Sequence, residues 1–282
     1  MPELSLGPLL FHWSAERKRD FYFEVADEAP VDTVYLGEVV CSKRAPFFER
    51  YYAEVAERLV SAGKTVVFSS LAEVMTARER EMTSSLAELE GLAGAEIEAN
   101  DAAALYHLRG KPHRVGPFVN VYNQQSMAYL AAQGATHFCL PTELPAQVIA
   151  ELGQAANKLG VTLEVQVYGR VGLALSARCY HARAHNRVKD NCQFVCEQDP
   201  DGMTISTLDK VPFLAVNGVQ TLSFTYLNLL PELTSLTQMG IGTLRLSPHS
   251  NDMLATVKAF RDVLDGELSP GEALVQTRAQ AL

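Results

Sequence analysis

The sequence is poor in positive charge. Its 282 residues carry 24 Lys+Arg against 33 Asp+Glu, a formal charge of -9, and that balance repels phosphate backbones and anionic membrane surfaces. A nucleic-acid partner is not expected. Clean apolar runs are also scarce: the longest uncharged stretch of membrane-like length, 211–231, contains Pro212, Asn217, Gly218, Gln220 and Asn228, each costly in lipid. It reads as buried strands and turns, with no membrane span. Met1-Pro2-Glu3-Leu4 shows neither a basic segment ahead of an apolar stretch nor a small-residue cleavage pattern, so a cytoplasmic location is expected.

Several catalytic signatures are missing. There is no Gly-x-Ser-x-Gly elbow and no His-Glu-x-x-His pair, which argues against a serine hydrolase or a zinc protease. Gly169-Arg170-Val171-Gly172 falls short of the dinucleotide fingerprint, and no complete P-loop occurs; a nicotinamide or flavin site has little support, and electrons would come from another protein. No Pro-, Gly- or Ser-rich linker divides the chain, and 48% hydrophobic content over this length is enough for one domain spanning 1–282.

Short apolar runs alternate with amphipathic stretches. Strands are expected at 4–11, 33–40, 65–69, 96–99, 114–122, 137–141, 163–168 and 244–247. Between them, Phe48, Tyr52, Val55 and Leu59, then Val148, Leu152, Ala156 and Leu159, then Met253, Val257, Phe260 and Leu264 recur at helical spacing. About eight β-α steps of roughly thirty residues predict a (β/α)₈, TIM-barrel-like α/β fold, with an open doubly wound sheet as the alternative. The rhythm breaks at 178–219, which reads as an irregular insertion over the C-terminal ends of the strands, where such barrels keep their chemistry.

Cysteine is scarce, five in all, yet four are suggestively placed. Cys179, Cys192 and Cys196 fall within eighteen residues, with twelve residues between the first pair and three between the second, and Cys41 follows the apolar run 34–40. In a chain read as cytoplasmic, thiols stay reduced, and an odd count favours metal binding or catalysis over disulfides. Four thiols are what a cubane iron–sulfur cluster needs. Cys192 and Cys196, four apart, fit one side of a helical turn. Structural zinc competes, but it favours two close pairs where only one exists; reduced buried or surface thiols are the plainer alternative. Arg178, His181, Arg183, His185, Arg187 and Lys189 crowd the same segment. Positive charge lowers thiol pKa and offsets the charge of a thiolate-ligated cluster, although a solvated basic loop has the same composition. His181 and His185 suit metal binding by spacing, and a surface or supporting role is preferred for them. Cys139, within the strand-like run 136–141, is expected to be a small buried hydrophobe.

Polar residues near expected strand ends would face a pocket in a barrel: Glu38, Asn120, Tyr122, Asn123, Glu143, Tyr168, Arg170, Tyr226, Asn228, Arg245 and His249. Arg170, Tyr168 and Asn120 are the candidates for substrate contact, Arg170 because a guanidinium grips a carboxylate bidentately.

Three segments carry a resemblance: Gly37-Glu38-Val39-Val40-Cys41-Ser42-Lys43-Arg44, Ser176-Ala177-Arg178-Cys179-Tyr180-His181-Ala182-Arg183, and Asp190-Asn191-Cys192-Gln193-Phe194-Val195-Cys196-Glu197. With their cysteine spacing they resemble the collagenase-like peptidase family, and within it the members that serve anaerobic ubiquinone biosynthesis. The resemblance spans essentially the whole chain. It implies a 4Fe-4S cluster held by Cys41, Cys179, Cys192 and Cys196, and a heterodimer with a homologous UbiU-type subunit. It also implies O₂-independent hydroxylation of a ubiquinone-precursor ring, with prephenate as oxygen donor. A non-catalytic cluster-bearing scaffold and a peptidase of the wider family are the rival readings.

Overall fold

In the computed structural model, which describes residues 1–89 and 95–280, the eight apolar runs close on themselves. The chain begins β1 (Glu3–Leu6), α1 (Ala15–Glu28), β2 (Thr33–Gly37), α2 (Ala45–Phe48), α3 (Tyr52–Ser61), β3 (Thr65–Ser69) and α4 (Ala77–Ala87). It continues β4 (Glu96–Ala99), α5 (Ala102–His107), β5 (His113–Val115), α6 (Gln124–Ala132), β6 (Ala135–Cys139), α7 (Ala146–Leu159) and β7 (Thr162–Leu175). Then come α8 (Tyr180–Ala184), β8 (Met203–Ser206), β9 (Pro212–Asn217), β10 (Gln220–Asn228), α9 (Leu233–Gln238), β11 (Thr243–Leu246), α10 (Met253–Leu264) and α11 (Pro270–Gln280). Strands β1 to β7 are parallel neighbours in sequence order, and β11 pairs in parallel with both β7 and β1. That double pairing closes an eight-stranded barrel and excludes the open sheet.

Three strands stop three or more residues earlier than their apolar runs, at Leu6, Gly37 and Val115. Leu9, Phe11, Val39, Val40 and Val121 are buried all the same, in loops folded over the C-terminal end of the barrel. Burial selects apolar side chains there without a ladder, so the pattern outlasts the strand. The helical stripes are seated as expected at Phe48, Val55, Leu59, Leu152, Ala156, Met253, Val257 and Phe260, whereas Leu159 at the end of α7 is 40% exposed.

The segment expected to be an irregular loop is partly regular. β7 runs for 14 residues; its first half lies in the barrel, and beyond Tyr168 it pairs antiparallel with β10, to which β9 and β8 are added. Gly169 sits at the departure point with φ +111°, where a Cβ would stand 2.7 Å from Ser247 Cβ and 2.8 Å from His249 Nε2. No side chain fits there. Most residues of β8 are exposed, which is why no apolar run announces it, whereas β9 lies in the uncharged stretch 211–231 and is buried from Ala215 to Asn217.

The barrel interior is polar where such barrels usually carry branched aliphatics. Arg245 Nη2 lies 2.6 Å from Glu98 Oε1 and also reaches Glu164, and its guanidinium stacks 4.0 Å over the Tyr35 ring. Tyr35 Oη donates to Glu164 at 2.9 Å and accepts from Arg114 Nη1 at 3.0 Å. Ser5 donates to Glu164, and His137 Nε2 is 3.1 Å from the same carboxylate. Burial pushes the Glu164 carboxyl up, but Arg245 and His137 outweigh it and hold the group well below the usual carboxylate range.

Candidate metal centre

Cys41 leaves β2 by a short loop whose backbone is held by Glu38: its Oε1 accepts the N–H groups of Val40 and Cys41, each at 3.0 Å. Cys179 caps α8, its Sγ accepting from Ala182 N at 3.4 Å. Cys192 follows a 3-10 turn at Lys189–Asn191, and Cys196 lies in a second one at Val195–Gln198. These four thiols line one cavity with Arg44, His181, Phe194 and Val219. β2 and β7 are separated by β1 and β11 in the barrel, so the β9–β10 hairpin has to arch back to bring the two segments together. It is anchored by Asn217 Nδ2 donating to Leu10 O at 2.8 Å and by Ser176 N donating to Val219 O at 3.0 Å.

Cys192 and Cys196 do not share a helical turn as their spacing suggests. Gln193 (φ 49°) and Phe194 (φ 52°) between them are both left-handed, a conformation that costs a non-glycine residue about 1 kcal/mol or more. The Phe194 ring packs 4.7 Å from Phe47 and 5.8 Å from His12, which clasps the loop to α2 and to the segment after β1. Burial and the cations Arg44 and Lys18 lower the pKa of His12 to about 4, so it is neutral at pH 7.

The nearest cation lies outside the basic cysteine segment. Arg44 is 3% exposed; Nη1 donates to Leu10 O and Nη2 to Asn217 Oδ1, both at 2.9 Å, and the guanidinium is also hydrogen-bonded to Cys196 and close to Cys41. Of the six bases in the cysteine segment, only His181 and Lys189 line the cavity. His181 is buried, with Nε2 2.8 Å from Asp199 Oδ2 and its ring stacked on His185; Arg187 donates to the Cys192 carbonyl. The expected lowering of thiol pKa fails for two thiols. Burial pushes Cys41 and Cys196 up despite Arg44, so without a metal both are protonated at neutral pH, and binding one releases protons.

All five cysteines are free. Cys139 is buried on β6 as expected, away from the cavity, with Glu164 and Arg245 close by. Tyr168 is fully buried, accepting from Asn251 Nδ2 at 2.7 Å and packed on Phe260. Arg170 is turned onto β10, donating to the carbonyls of Ser223 and Phe224 and lying 4.8 Å over the Tyr226 ring. Asn120 is an exposed left-handed residue closing a 3-10 turn. Asn123 caps α6, Tyr122 bonds Glu143, Asn228 holds Thr277, and His249 is buried, accepting from Arg170 N at 3.0 Å. None of these lines the cysteine cavity.

Soft thiols with apolar walls suit a thiophilic metal. Among the described residues, no three or more His, Cys, Asp or Glu side chains are arranged to hold a metal ion. No helix among the described residues is long and apolar enough to cross a membrane.

Among solved structures, the chain is similar to dihydropteroate synthase from Thermus thermophilus (13% identity, 95% of each chain, TM-score 0.46). It is similar to a chain of the tryptophan synthase complex of Pyrococcus furiosus (13%, 97% of this chain and 98% of that one, 0.47). The spore cortex-lytic enzyme SleL of Bacillus cereus is matched at 10% identity over 95% of this chain and 75% of that one, with a TM-score of 0.46. The model of Peptidase family U32, the collagenase-like family, matches residues 21–281, and the chain belongs to that family.

Proposed function

We propose that the chain is a UbiV-type iron–sulfur subunit that acts with a homologous UbiU-type partner in O₂-independent hydroxylation of a ubiquinone-precursor ring. The observation that carries this reading is the meeting of Cys41, Cys179, Cys192 and Cys196 around one cavity although the strands they follow, β2 and β7, are separated by β1 and β11. These thiolates would hold a 4Fe-4S cluster. When bound, it supplies one-electron transfer, at a potential its surroundings set. Arg44 offsets the negative charge of the ligand set, and Phe194, Val195 and Val219 exclude water. The oxygen donor is prephenate, a carboxylated molecule that needs a cationic site.

Replacing Cys192 tests the reading. With Cys192→Ala, a chain that folds and still pairs with its partner but has lost hydroxylation ties the chemistry to the cluster; loss of the pair itself favours a scaffold. Membership of a peptidase family supports a second reading, peptide cleavage. Peptides incubated with the purified chain and no quinone precursor test it, and absence of both cleavage and binding dismisses it.

A further inference from the structure

Across the Cys41 loop from the cysteine cavity lies a cleft of about 650 Å³, between α3 and α4 at the C-terminal ends of β2 and β3. Its walls are mainly apolar, with Tyr52 and Phe68 on one side and Met82 and Leu86 on the other, over a floor of Gly37 and Ser69. The loop 38–44 is shared by both cavities. Glu38 lines the cleft while its Oε1 holds the Val40 and Cys41 amides, and Ser42 donates to Glu79 of α4 at 2.8 Å. The capping box formed by Thr76 and Glu79 fixes α4 in turn, so this wall stands on hydrogen bonds rather than on contact across the cleft.

Size and charge define what fits. A dry cavity of about 150 Å³ accepts benzene, so this cleft has room for a ring and a hydrocarbon chain of several carbons. Its lining carries Glu38, Glu49 and Glu81 against Arg78. Lys18 lies near Glu38 and offsets it, which leaves the two remaining carboxylates facing one guanidinium. A carboxylate or phosphate is repelled by that balance, whereas a phenol O–H finds an acceptor in the Glu38 carboxylate.

We propose that the cleft between α3 and α4 binds a neutral, alkyl-substituted phenol, with its ring at the Gly37–Ser69 floor and its tail along Met82 and Leu86. The site deepens the function proposed above and rests on it only for the identification of this ligand as the ring substrate; binding itself is independent of the cluster. It also assigns the carboxylated oxygen donor to another site.

The test is calorimetric titration of the anaerobically purified chain, and of its Cys192→Ala variant, with 4-octylphenol and with 4-octylbenzoate. We expect saturable binding of the phenol at one per chain in both proteins, with a negative heat-capacity change, and binding of the benzoate weaker by about tenfold or more. Ala53→Trp on α3 and Met82→Arg on α4, at exposed and half-buried positions, should each abolish phenol binding without changing far-UV circular dichroism or iron content. Unchanged binding in both variants, non-saturable uptake, or equal affinity for the benzoate overturns the assignment. Phenol binding by a chain that never acquires iron would sink the cluster reading and leave the cleft standing.

Discussion

Two buried polar regions of this barrel are built in opposite ways. In the barrel interior, Glu98 and Glu164 meet Arg114 and Arg245, with His137 and Tyr35 between them. At the end of β2 and β7, four ionisable sulfurs face one buried guanidinium, Arg44. The interior network balances its own charge and holds the fold. Fully deprotonated, the four sulfurs of the cysteine cavity would outnumber the cations Arg44 and Lys189 that line it, an excess that a cationic cofactor offsets.

The sharpest way to break this comparison is inside the barrel. Arg245→Met leaves Glu98 and Glu164 buried without their shared guanidinium and should cost about 3–5 kcal/mol of unfolding free energy, read by denaturant titration. A similar substitution in the cavity, Arg44→Met, should cost clearly less in the metal-free chain, where the thiols facing it are neutral, and more once a thiolate-ligated metal is bound. Glu79 ties α4 to the Cys41 loop: burial raises its pKa, but bonds from the Thr76 and Met75 amides and from the Ser42 and Thr76 hydroxyls bring it to about 2. The folded state therefore binds fewer protons than the unfolded chain. This stabilisation is complete above about pH 4.5 and is lost towards pH 2, an effect of up to about 3 kcal/mol. Glu79→Gln should flatten that limb of the stability curve against pH, and an unchanged limb would remove Glu79 from the account.

A smaller effect is expected at Gly218, in the hairpin turn over the cavity. Its φ is +62°, and an added Cβ would stand 3.0 Å from Arg44 Nη2. Gly218→Ala should cost about 1–2 kcal/mol in thermal unfolding and disturb the cysteine site more than the barrel. Finest of all, Arg44→Gln should lower the reduction potential of a bound cluster by on the order of 60 mV, the one-electron equivalent of 1.4 kcal/mol, with Arg44→Lys restoring part of it.

Legibility in the sequence follows the physics of each region. Most barrel strands are buried on both faces and declare themselves as apolar runs, with ends blurred where buried loops continue the pattern, whereas β4 (Glu96-Ile97-Glu98-Ala99) and β5 (His113-Arg114-Val115) carry polar residues. Glu98 and Glu164 escape such a reading because inward positions of these barrels are usually aliphatic. The four cysteines stand out by residue type and spacing. Arg44 does not, because its partner Asn217 lies 173 residues away and nothing local marks the pair. Strand β8, largely solvated, leaves no apolar signal, and Arg170, attractive as a free guanidinium, is engaged by the carbonyls of β10.

The central claim is that four thiols, and not the fifth, hold one cluster. Iron and acid-labile sulfide in protein purified without air should each be about four per chain, unchanged in Cys139→Ala and lost in Cys41→Ala and Cys192→Ala. A colourless protein carrying zinc, or one that keeps its iron without Cys41, would contradict it.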